Sequence, residues 1–136
     1  MSDKKSFSLA DWFFCDDIRE ETHGKVSYMG VYGDNILFSE IPATLPKIFF
    51  CIKLEFSKRI SDKVFFKIMQ PGGLLIGPIE AQLPPQEILE KQKKVRMHFG
   101  IIPFTVQKSG PHELHISFDG KKFEEIGRFN VGLQPQ

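Results

Sequence analysis

Between Lys47 and Ser57 the chain places Ile48, Phe50, Ile52, Leu54 and Phe56 at every second residue. Successive side chains of a strand point to opposite faces, so this period puts all five on one side of a sheet. Lys47, Lys53, Glu55 and Ser57 then fall opposite, together with Phe49 and Cys51. The same period recurs in Lys63–Gln70, in Lys94–Ile101 (Val95, Met97, Phe99 and Ile101) and in His112–Phe118 (Leu114, Ile116 and Phe118). Further strand-like runs are Ala10–Arg19, Lys25–Tyr32, Ile36–Phe38, Leu74–Leu83 with a bend at Gly77-Pro78, Phe104–Gln107 and Lys122–Val131. A repeated period of two with little helical spacing leaves few folds open.

Turn signals separate these runs. Glu20–Gly24, Gly33-Asp34-Asn35, Pro71-Gly72-Gly73 and Asp119-Gly120 break the pattern, the last as a two-residue hairpin turn needing positive φ. Pro42 and Pro46 make Ile41–Pro46 a loop, because proline cannot donate to a ladder. Gln86–Lys93, after Pro84-Pro85, is the one candidate helix. Composition agrees: fourteen Phe stand against Ala at positions 10, 43 and 81 alone, which favours pleated surface over helix. The expected fold is therefore all-β, an antiparallel β-sandwich of about 8–9 strands, immunoglobulin-like or C2-like, with at most one short helix. Residues 9–132 form its single domain, between a polar tail at 1–8 and a short one at 133–136.

Charge narrows the partners. Lys and Arg number 18 against 17 Asp and Glu, without the surplus that phosphate-led nucleic-acid binding requires, although Lys91–Arg96 is locally basic. That run reads as a solvated face. Cys15 and Cys51 each follow two Phe residues and read as small core residues with free thiols. The N-terminus is polar, and no run approaches the ~20 apolar residues of a membrane span, so the expectation is a cytoplasmic protein.

Two resemblances add to this reading. Ser109-Gly-Pro-His-Glu-Leu-His-Ile-Ser-Phe-Asp-Gly120 resembles the penultimate strand of immunoglobulin-like domains, where a Tyr near the strand start bonds back to the preceding corner. Here His112 or its neighbours hold that place. The opening motif Asp16-Asp-Ile-Arg19, Gly24-Lys25 and Gly30-Val-Tyr-Gly-Asp34 is similar to that of a family of short uncharacterised proteins from bacteria and their mobile elements. That resemblance implies a stand-alone cytoplasmic domain and transfers no catalytic residue.

Candidate chemistry is concentrated in the first third. Asp16, Asp17, Glu20, Glu21, Asp34 and Glu40 could supply oxygen ligands, but adjacent Asp16 and Asp17 point to opposite faces of a strand. They are expected instead to pair with Arg19 or Lys25, or to meet solvent. Gly30-Val-Tyr-Gly33 could lay a ligand against bare backbone between Tyr28 and Tyr32. The structural reading is a twisted hairpin with left-handed residues at Gly33–Asn35 and with Gly30 admitting a Phe from across the sheet. His98 and His115 would meet beside Glu113 only if their strands were neighbours. His23 and His112 are the other histidines. No nucleophile elbow, P-loop, dinucleotide fingerprint or zinc spacing is present, and no cofactor is expected.

The leading expectation is a non-enzymatic binding or assembly module acting on a protein partner or on itself. Phe49 and Cys51, and then Phe65 and Met69, lie on nominally outward positions and need a second layer. A small-ligand, nucleotide-like pocket around Tyr28, Tyr32, Asp34 and Gly72 is the alternative, and a metal-dependent hydrolase is a third. No membrane or nucleic-acid partner is expected.

Overall fold

A computed structural model describes residues 7–57, 62–84 and 93–135. The expected helix at 86–93 lies, but for Lys93, outside the described residues. Eleven strands follow in order: β1 (Phe7–Glu20), β2 (Val26–Val31), β3 (Asn35–Phe38), β4 (Ala43–Leu45), β5 (Ile48–Phe56), β6 (Lys63–Gln70), β7 (Gly73–Gln82), β8 (Lys94–Ile101), β9 (Phe104–Val106), β10 (Gly110–Ser117) and β11 (Glu124–Leu133). A short 3-10 turn, Thr22–Gly24, joins β1 to β2. Among the described residues no helix is long and apolar enough to cross a membrane.

The strands form a four-stranded sheet β2-β1-β5-β8, a five-stranded sheet β3-β11-β10-β6-β7 and a small pair β4-β9. Phe residues weld the two large sheets. Phe66 of the five-stranded sheet stacks on Phe99 of the other at 4.7 Å between centroids. Phe99 stacks on Phe50 at 5.2 Å. Phe14 then reaches back to Phe129 at 5.2 Å. The inward row Ile48, Phe50, Ile52 and Leu54 is fully buried, as the period of two requires. Each such side chain removes roughly 1.5–3 kcal/mol worth of apolar surface from water, which explains the Phe-rich, Ala-poor composition.

Several expectations need correction. Eleven strands replace 8–9, partly because Ala43–Leu45 forms β4 between Pro42 and Pro46. Three residues fit between the prolines, and their ladder to β9 is registered Ala43↔Val106 to Leu45↔Phe104. The sandwich is not wholly antiparallel, since β3 runs parallel to β11, with Ile36 opposite Val131. The β10–β11 connection spans residues 118–123 rather than two residues. Its geometry is held by the Asp119 carboxylate, which accepts from the Lys121 and Lys122 amides at 2.8 and 2.9 Å. Those amides hold its carboxyl down to about 2. Gly33, Asp34 and Asn35 have no positive φ; Gly30 does, at +67°. The side chain that Gly30 admits is the Asp16 carboxylate, not a Phe.

Candidate functional site

The β1–β2 hairpin divides its chemistry among different surroundings. The Tyr32 ring stacks on Phe14 at 5.3 Å, and Phe14 on Trp12 at 5.7 Å, so three aromatics form a ladder at one flank of the sandwich. Tyr32 donates its hydroxyl to Asp16 Oδ1 at 2.5 Å. Burial and that carboxylate both push the phenol up. A recess of about 170 Å³ beside the ladder is lined by Trp12, Phe14, Tyr32, Asp34 and Arg128. Gly127 makes room there: a Cβ at that position would stand 2.5 Å from the Trp12 ring. Asp17 takes a different course, bridging to Lys47 at 3.1 Å and to Arg19 at 3.8 Å. The Lys47 contact leads in holding its carboxyl below the usual range.

Tyr28 does not share a pocket with Tyr32. It packs edge-on against Phe13 at 4.7 Å and its hydroxyl meets His98 Nε2 at 2.8 Å. Those two residues sit on β2 and β8, the opposite edges of the four-stranded sheet, so their contact spans its outer face. Phe13, Cys51 and His98 stand opposite one another in register along that face. Cys15 and Cys51 are fully buried there, with free thiols. Burial raises the Cys15 thiol and, with Cys15 beside it, pushes Cys51 up to about 12. Phe49 is accommodated at Gly100, where a Cβ would stand 2.6 Å from its ring. Cys15 and Cys51 of the outward row are thus covered by their own chain, while Phe13, Tyr28 and Phe49 stay half-buried.

The five-stranded sheet is different. On its outer face Phe65, Lys67 and Met69 of β6 are only half-buried, and Leu74, opposite Met69 on β7, is 50% exposed. Lys67 Nζ sits 4.1 Å over the Phe123 ring, and the Phe65 ring would lie 3.4 Å from a Cβ at Gly120. Beside this strip, Glu113 accepts from His115 Nε2 at 2.9 Å and pairs with Arg128 at 3.5 Å. Arg128 also grips Glu125. The His115 contact leads in lowering the Glu113 carboxyl. The strip is thus bordered by charges that pair with one another.

Other candidates separate. His98 and His115 occupy different sheets and do not face each other, although Glu113 does bond His115. His112, placed at the corner by the immunoglobulin-like resemblance, is fully buried and its Nδ1 lies 3.0 Å from the Gly110 carbonyl. It thereby bonds the backbone two residues upstream, at the start of its own strand. Gly72 lies in the β6–β7 turn near Lys108 rather than with Tyr32 and Asp34. Among the described residues no group of three His, Cys, Asp or Glu side chains is placed to hold a metal ion.

Residues 10–131 match a family of unknown function, DUF6941. The chain belongs to that family. The match spans every strand from within β1 to within β11, so the sandwich as a whole is the DUF6941 unit. No curated protein matches the chain.

Proposed function

We propose that this DUF6941 chain is a non-enzymatic binding module that makes protein–protein contacts through the outer face of its five-stranded sheet. The half-open row of Phe65, Met69 and Leu74 carries the reading; on the outer face of the other sheet Cys15 and Cys51 are fully buried, while Phe13, Tyr28 and Phe49 are half-buried. The strand orders support an immunoglobulin-like assignment: β11-β10-β6-β7 corresponds to the last, penultimate, third and following strands of a variable-type sheet. The opening motif supports a bacterial, cytoplasmic setting that includes mobile elements.

The test replaces Phe65 and Met69 together by Glu. Light scattering over a rising concentration series should show self-association of the parent and a monomeric variant with an unchanged melting temperature. A photo-crosslinking amino acid at position 69 covers the hetero-partner case, with position 25 as its exposed control. Equal crosslinking from both positions, with a parent that stays monomeric, would reject this face.

A second reading has its own observation, the aromatic recess beside Tyr32. Its volume of about 170 Å³ is below the roughly 300 Å³ at which drug-sized ligand pockets begin, so it suits a single side chain better than a nucleotide. A peptide side chain seated between Asp34 and Arg128 is compatible with the leading reading.

A further inference from the structure

The two large sheets end in four edge strands, and three of them are blunted. β2 carries the positive-φ Gly30, β3 has four residues, and β7 contains Pro78 and two register shifts against β6. Bulges, short length and proline are the usual means of preventing an edge from pairing with another chain. β8 has none of these, and its one blunting device is charge, at Lys94 and Arg96. Its eight residues pair with β5 in unbroken register from Ile48↔Ile101 to Glu55↔Lys94, and no described strand lies on its other side.

Two further observations say what would pair there. The inward row is 0% exposed on β5 at Ile48, Phe50, Ile52 and Leu54, but 7–9% exposed on β8 at Val95, Met97, Phe99 and Ile101. That residual surface is what an edge position leaves open, and Ile102 just beyond is 67% exposed. The outward row of β8 is Lys94, Arg96 and His98, all exposed. Across β5 it faces Glu55, Lys53 and Cys51, so Lys94 has a carboxylate opposite it and Arg96 has another cation. Arg96 also lies 5.7 Å from the Phe13 ring.

We infer that the edge of β8 that no described strand covers docks an extended segment from another protein, with acidic and apolar side chains at alternate positions. Strand addition would supply main-chain hydrogen bonds along the edge. Its apolar positions would extend the Val95–Ile101 row, and its carboxylates would meet Lys94 and Arg96. A second copy is a poorer occupant. In antiparallel pairing of β8 with itself, the register centred on Arg96 sets that side chain opposite its own copy, and like charges directly opposite are destabilising. This surface is separate from the sheet face proposed above, and either can fail without the other.

The probe is a fluorescein-labelled peptide of alternating Glu and Val, eight residues long to match β8, read by anisotropy against the full chain. Saturable binding is expected, with none for the Lys-Val counterpart. Lys94→Glu with Arg96→Glu should weaken it by about tenfold or more, as lost charge complementarity predicts. Both positions are exposed, and a far-UV spectrum and melting curve establish that the variant folds. A peptide N-methylated at alternate residues should lose binding to the unmodified protein, a control needing no variant. The proposal is overturned by absent binding, by a charge-reversed protein that binds equally, or by N-methylation without effect. It is equally overturned by a dimer that Arg96→Glu disrupts, which would make the second copy the occupant.

Discussion

His112 is the buried residue with most consequence for conditions. Burial lowers its affinity for a proton, with the Gly110 carbonyl a weaker opposing influence. Its folded pKa therefore lies below the ordinary 6.5, and the unfolded chain binds the proton first as pH falls. The stability it contributes is complete above 6.5 and is lost progressively below that value. Urea midpoints measured from pH 7.5 to 5 should decline, and His112→Phe should flatten most of that decline. His98 is shifted in the same direction by burial and by Arg96, but it is exposed and should contribute less. The two glycines of Gly30-Val-Tyr-Gly33 make a second contrast. Gly30→Ala meets both a positive φ and the Asp16 carboxylate, and should cost about 2 kcal/mol or more. Gly33→Ala has open space and ordinary φ, and should stay within about 0.5 kcal/mol in the same urea titration. From sequence the pair looks equivalent, because what separates them is a side chain from the neighbouring strand.

At the scale of elements, legibility followed length and regularity. β5, β8 and β10 were readable because one face of each is buried by the opposite sheet, which imprints the period of two. β4, three residues between two prolines, read as a loop, whereas β3 and β9 were legible as strands but not their partners, because β3 pairs with a strand at the far end of the chain and β9 with β4. The candidate site was legible only in part. Phe65 and Met69 declared themselves by standing outward, whereas the Tyr28–His98 contact joins residues on opposite edges of one sheet. That contact makes its own prediction. Cys15 and Cys51 should resist a thiol-specific chromophoric reagent in the native protein, and Tyr28→Ala should make them react at a readily measured rate. Unchanged protection in that variant would show that Phe13 and Phe49 alone cover the thiols.

For the whole molecule, the buried apolar side chains between the sheets form one cluster among the described residues, with Cys15 and Cys51 outside it. Trp12, the single Trp, packs against Gly127 of β11 from β1 and so reports on the junction between the sheets. Its fluorescence and the far-UV circular dichroism should therefore give coincident unfolding transitions; separated midpoints would mean that the sheets come apart independently. The parallel pairing of β3 with β11 reaches further, into how the protein is made. A chain emerging from the ribosome presents β1, β2 and β5 early enough to begin one sheet during synthesis. β3 must wait for residues 130–133, which are made long after its own. Until β11 is made, one edge of the nascent sandwich stays open, and residues 130–133 act as the latch that ends its exposure to chaperones and to other unfinished chains.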